Sequence, residues 1–141
     1  MFTGTTDSYL DTTQDIEFID ITEAIRRRVN ESHISNGIVS VFTPHTTCSV
    51  RINESEKNLL QDFKAFLHKI APRGDEYGHN RLTLDDRPNA HSHILSLFMN
   101  TSETIPVREG NLCLGRWQRV FFVELDGPRK NRRFLVHILG E

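Results

Sequence analysis

The last third of the chain reads almost entirely as strand, and that limits the fold more than any other feature. Short apolar segments at 105–107, 111–114, 117–125 and 133–139 follow one another with little but turns between them. Glu109-Gly110-Asn111 and Asp126-Gly127-Pro128 supply the residue types that tight turns require. The helical patterns lie earlier, so strands and helices do not alternate as βαβ units. The expectation is an α+β fold: one compact domain over residues 1–141, two packed sheets of antiparallel or mixed strands, and about three helices. A length of 141 residues suits one domain and leaves little room for two.

The earlier segments fill in this plan. Residues 1–14 form either an edge strand or a loose arm. Residues 15–20 alternate with period two, which puts Ile16 and Phe18 on one face. Asp20 and Glu23 then have the spacing of a capping box, ahead of a helix with Ile21, Ala24, Ile25 and Val29 on one stripe. Arg26, Arg27 and Arg28 fall largely outside that stripe, as a solvated helix face does. A β-branched strand at 38–43 runs into Pro44, which bends the chain before His45. From Cys48 onward, Cys48, Val50 and Ile52 share one face, while Ser49, Arg51 and Asn53 share the other. Ser55 is placed to cap a second helix, marked by Leu59, Leu60, Phe63, Phe66, Leu67 and Ile70 and stopped by Pro72. Asp62 falls at the border of its apolar stripe. Residues 73–88 read as a long loop containing Tyr77, His79, Asp85 and Asp86. Asn89 begins a third helix with Ala90, Ile94, Leu97 and Phe98 on its buried side.

Composition excludes several functions. The formal net charge of −2 is unlike the basic excess of a nucleic-acid-binding domain. No apolar run reaches the roughly 18–20 residues that span a bilayer, and the N-terminus lacks the pattern of a signal peptide. Cys48 and Cys113 then read as free thiols, and the expected location is the cytoplasm.

The candidate chemistry lies in the histidines. His79, His91 and His93 fall within fifteen residues of one another, and His45 stands beside a bend. Imidazole is the commonest ligand for a transition metal, but neither His-Glu-x-x-His nor paired Cys-x-x-Cys occurs, so scattered surface histidines explain the pattern equally well. His91 and His93 cannot both face one site from a helix, because two residues turn the face by about 200°. A small buried thiol is the commoner role for Cys48 than a nucleophile beside His45. Arg132 and Arg133 point to opposite faces of a strand, so only one can reach a given anion. Trp117 reads as a core indole with Gln118 as its polar neighbour. Glu124, inside an apolar strand, requires a partner such as an arginine or a metal-bound group.

Together these segments resemble the YjbQ-like family (UPF0047), whose members are commonly named secondary thiamine-phosphate synthases. The resemblance runs from about Asp20 to Glu141. It includes HTTCSVRINE at 45–54, Asp62, Tyr77 with His79, the NAHSH segment, and Arg132-Arg133 with Leu139-Gly140-Glu141 at the close. Its most specific part is Ser102-x-x-Ile105-x-Val107-x-x-Gly110-x-x-x-x-Gly115-Arg116-Trp117-Gln118-x-Val120. The resemblance implies a homotrimer with a site near subunit contacts. It also implies a divalent metal, zinc by preference, held by His45, His79 and His93, with His91 as an accompaniment. Catalytic roles would fall to His45, Glu54, Asp62, Glu124 and Arg133, and ligand binding to Thr46, Thr47, Asn53, Trp117 and Gln118. The implied activity joins phosphorylated pyrimidine and thiazole moieties. A non-enzymatic trimeric binder of a small phosphorylated metabolite, or a metal-dependent hydrolase, would use the same residues. Two positions depart from the family pattern: Arg116 replaces a usual Thr, and Cys48 replaces a usual Ala.

Overall fold

The computed structural model describes residues 1–81 and 86–141. Among the described residues, eight strands form two sheets in which every pairing is antiparallel. The larger sheet has the order β1 (Phe2–Leu10), β8 (Arg132–Gly140), β3 (Gly37–Phe42), β5 (Ser102–Arg108), β6 (Asn111–Leu112). The smaller has the order β2 (Glu17–Asp20), β7 (Gln118–Glu124), β4 (Cys48–Glu54). The expectation of α+β with two sheets holds, and the first residues form the edge strand β1. The hairpin β5–β6 turns through Glu109 and Gly110, both at positive φ (49° and 75°), the backbone of a two-residue I′ turn.

Strand β7 is covered on both faces, as its unbroken apolar run suggests. Val120 and Phe122 face a core shared with the larger sheet and with α1 (Thr22–Ser32), where Ile25, Val39, Val50 and Val136 pack. Phe121, Val123 and Leu125 face a smaller core under α2 (Lys57–Ile70) and α3 (Ala90–Leu97), with Leu67 and Leu95.

Several local expectations change. The Asp20 carboxylate accepts from the Thr22 amide (3.0 Å) and hydroxyl (2.6 Å), but Glu23 turns away to Arg26 and Arg119, so no capping box closes. Glu56, not Ser55, caps α2; its extended backbone lets the carboxylate accept from the amides of Asn58 (2.9 Å) and Leu59 (2.7 Å). The first half of β4 is buried on both faces, because Ser49 turns its hydroxyl to the Asn100 carbonyl (2.7 Å). The loop contains a 3₁₀ turn, Gly78–Arg81, while Asp85 lies outside the described residues.

The amphipathic stripes of α2 and α3 are only partly used. Leu67 is the one buried residue of α2, and Phe66 is 60% exposed. On α3 the buried residues are Ala90, His91, Ser92 and Leu95, whereas Leu97 and Phe98 at its end are 81% and 72% exposed. Trp117 is 62% exposed with the Arg116 guanidinium 4.8 Å from its ring centroid, so it is not a core indole. Among the described residues no helix is long and apolar enough to cross a membrane.

Candidate functional site

Strands β4 and β7 run side by side with Cys48 opposite Glu124 at one end and Glu54 opposite Gln118 at the other. Six residue steps separate these ends by about 20 Å. The candidate residues therefore divide into two groups within one chain.

At the first end, Glu124 is fully buried between the two sheets. Arg132 from β8 forms a fork on it (2.8 and 2.7 Å), and the Thr12 hydroxyl and the Asp126 amide add bonds of 2.9 Å each. Burial alone would raise this carboxyl, but the bonds from Arg132, Asp126 and Thr12 outweigh it and hold it below the usual value. Its acceptor capacity is thus filled from within, which makes Glu124 an anchor joining the sheets rather than a proton carrier. The partner its sequence context demanded is Arg132. The Cys48 thiol lies 3.7 Å from the same carboxylate, and burial and that negative charge push its pKa far up, so it is no nucleophile. Thr47 is buried and accepts from Arg132 (2.9 Å), so it too serves the anchor.

A second buried carboxylate follows at once. Asp126 accepts from Arg129 (2.6 Å), Asn89 (2.8 Å) and Arg87 (3.2 Å). Gly127 is required beside it, since a Cβ there would run into the Gln14 carbonyl.

The histidines surround this charged knot. The His45 Nε2 accepts from the Arg133 amide (2.9 Å). Burial and the neighbouring cations Arg132, Arg133 and Arg129 hold its pKa down, against the opposing charge of Glu124. The rings of His79 and His93 meet edge to face with centroids 5.0 Å apart. The Ser96 hydroxyl touches both the Thr46 carbonyl (2.7 Å) and the His93 carbonyl (3.0 Å), which ties the His45 segment to the α3 turn bearing His93. His91 points elsewhere, as helix geometry requires: it is buried, with its Nε2 3.2 Å from the Ser92 hydroxyl and its Nδ1 without a hydrogen-bond partner among the described residues. Arg133 contributes its amide here; its guanidinium faces Asp7 at 3.8 Å.

At the second end, Asn53, Glu54, Trp117 and Gln118 are exposed, as is Asp62 on α2. Asn53 accepts from the Glu54 amide (2.8 Å) and Gln118 from the Gly115 amide (2.8 Å). Neither end gathers a complete ligand set: among the described residues no group of three or more His, Cys, Asp or Glu side chains is placed to hold a metal ion. Sequence reasoning missed Thr12, Asn89, Asp126 and Arg129 as members of the first end. A polar residue following a buried strand directly, as Asp126 does, was the one signal available.

Two antiparallel sheets joined by a buried Glu–Arg fork, with histidines at the same end, define a small α+β domain. The chain belongs to the UPF0047 protein YjbQ-like family, whose model matches residues 7–141. A UPF0047 protein of Methanothermobacter thermautotrophicus is 42% identical over 132 residues, covering 94% of this chain and 89% of the relative. One of Archaeoglobus fulgidus is also 42% identical, over 92% of this chain and 97% of its own. The crystal structure of a Sulfolobus solfataricus protein of unknown function superposes with a TM-score of 0.93 at 38% identity, covering 99% of each chain. A Clostridium acetobutylicum member gives 0.87 at 37%, over 95% of this chain and 99% of its own.

Proposed function

We propose that the His45/His79/His93 end binds a small phosphorylated metabolite together with a divalent metal ion, and that it supports a transferase-like reaction of the thiamine-phosphate synthase kind. The observation carrying this reading is the His79–His93 ring pair, with His93 on an α3 turn that Ser96 ties to the segment bearing His45, whose ring lies in the field of Arg132, Arg133 and Arg129. Such a field favours an anionic ligand.

The donor set fits a metal in part. His79 has its Nε2 3.2 Å from the Asn89 side-chain oxygen, the kind of support metal-ligating histidines have. His93 is the second donor. His45 fits poorly as a ligand, because its Nε2 is already taken by the Arg133 amide, and His91 is buried away from the pair. Two imidazoles leave the remaining positions of a zinc-like ion to ligand oxygens. When bound, such an ion would neutralise phosphate charge and polarise a phosphoryl oxygen. This chain's own groups would orient the ligand and offer it hydrogen bonds.

The homotrimer belongs to the same proposal. What supports it is a groove of about 260 Å³ lined by Phe63, Phe66, Leu67, Ile70, Phe98 and Met99, an apolar surface of the kind subunits cover. A non-enzymatic binder is the second reading. It is favoured by the full engagement of Glu124 and Asp126, which takes both carboxylates out of proton transfer at that end.

Metal content per protomer, measured by mass spectrometry on tag-free protein, tests the proposal. About one ion is expected in the native protein and in His45→Ala, and far less in His79→Ala and His93→Ala. No ion after zinc is added back would sink the metal reading. Saturable binding of the pyrimidine diphosphate and thiazole phosphate without product over long incubation would replace the enzyme with the binder.

A further inference from the structure

Hydrogen-bond direction assigns the protons on two of the histidines. Asp126 is buried, which by itself raises its pKa, but bonds from Arg129, Asn89 and Arg87 outweigh that and keep the carboxyl ionised. An ionised carboxylate only accepts. The Asn89 amide must therefore turn its Nδ2 toward Asp126 (2.8 Å), which aims its Oδ1 at His79 Nε2 (3.2 Å). That oxygen also only accepts, so the hydrogen of neutral His79 is on Nε2 and its lone pair is on Nδ1.

The opposite holds at His45. The Arg133 backbone amide only donates, and its 2.9 Å bond fixes the His45 Nε2 as the acceptor. Neutral His45 then has its hydrogen on Nδ1. Neither supporting group can reverse its role, one being main chain and the other locked by a buried charge.

We infer that the protein holds these two rings in opposite tautomers, with Asn89 and Asp126 as positioning residues for His79 and the Arg133 amide for His45, so that His79 offers an imidazole lone pair and His45 an imidazole N–H. The chemistry suits a phosphate monoester: the His45 N–H would donate to a phosphate oxygen, and the His79 lone pair would accept a hydroxyl hydrogen or a metal ion. This ligand class rests on the proposed function, but the tautomers do not, since they are set without ligand or metal.

Asn89 can be removed without unmaking the helix start. It precedes α3 but makes no side-chain cap bond, and the Ala90 amide is satisfied by Asn80 (3.1 Å). The test is long-range proton–nitrogen correlation NMR of the full, metal-free, ¹⁵N-labelled chain at neutral pH, followed by zinc titration. His79 is expected as the Nε2–H form and His45 as the Nδ1–H form. In Asn89→Ala, His79 is expected to become a mixture, His45 to stay unchanged, and zinc affinity to fall about 10- to 100-fold. Asp126→Asn frees the Asn89 amide to turn and is expected to mix the His79 tautomers too. Inorganic phosphate should shift the His45 ring signals.

A native His79 in the Nδ1–H form, or a His45 in the Nε2–H form, would overturn the inference even if both variants failed to fold. So would a folded Asn89→Ala with unmixed His79. Native tautomers as stated with no zinc bound at all would uphold it and remove the metal reading alone.

Discussion

The two ends of the β4–β7 ladder are built from the same pair of strands, yet they treat polar side chains in opposite ways. At the Cys48–Glu124 end, polar groups from the β1–β2 link, β7, the β7–β8 link and β8 are taken out of water and bonded to one another. At the Glu54–Gln118 end, Asn53 and Gln118 hold their own local backbone, and Glu54 and Trp117 face solvent. Burial turns a polar residue into an anchor, because an unpaired buried charge is too costly to leave. Exposure leaves it available to something outside the chain. Residues adjacent in one sequence motif, from Thr47 to Glu54, thus acquire unrelated roles within seven positions.

The largest expected effect lies at the sealed end. Glu124→Gln leaves the Arg132 guanidinium buried without its counter-charge and should lower the unfolding free energy by about 3–5 kcal/mol in urea titration. Glu54→Gln, at the open end, should stay within about 0.5 kcal/mol. Equal losses at the two positions would erase the contrast.

Acid sharpens it next. The carboxyls of Glu124 and Asp126 are both held below their ordinary values of 4.5 and 3.8. The folded state therefore binds fewer protons than the unfolded chain as pH falls through that range. Their contribution is complete above the ordinary values and is lost as pH falls toward the depressed ones. The urea midpoint should drop between about pH 5 and pH 3 in the native protein, and less steeply in Glu124→Gln. A native midpoint that does not move over that range would contradict the assignment.

The apolar surface gives the smallest of these effects and needs association to be seen. Phe98→Asp should weaken the proposed trimer by about 2 kcal/mol or more, read as a lower mass than the native protein in analytical ultracentrifugation with unchanged far-UV circular dichroism. An unaltered mass would free that face from the interface and leave its exposure unexplained.

How much of this was legible in the chain follows from the range of each interaction. Alternation at 15–20 and 48–54, the unbroken run of β7, and the turn at Glu109-Gly110 were readable because strand and turn geometry depends on neighbouring dihedral angles. The opposed directions of His91 and His93 were readable for the same reason. The stripe of α2 announced an amphipathic helix, but a stripe says only that a face is apolar, not what covers it. Strand alternation showed that Arg132 and Arg133 face opposite ways; that Arg132 is the inward one and the partner of Glu124 was settled by which face of β8 meets β7.

By itself, then, the sequence determined the fold class, the order of the elements after residue 14, the family and the alternation of faces at 15–20 and 48–54, all of them properties of local periodicity and recognisable segments. Only the tertiary structure decided that Thr12 reaches Glu124 across 112 positions, that Asp126 orders Asn89 and Asn89 orders His79, and that His45 accepts from Arg133. Such partners are chosen by where two sheets bring distant segments together, and no local pattern records that meeting.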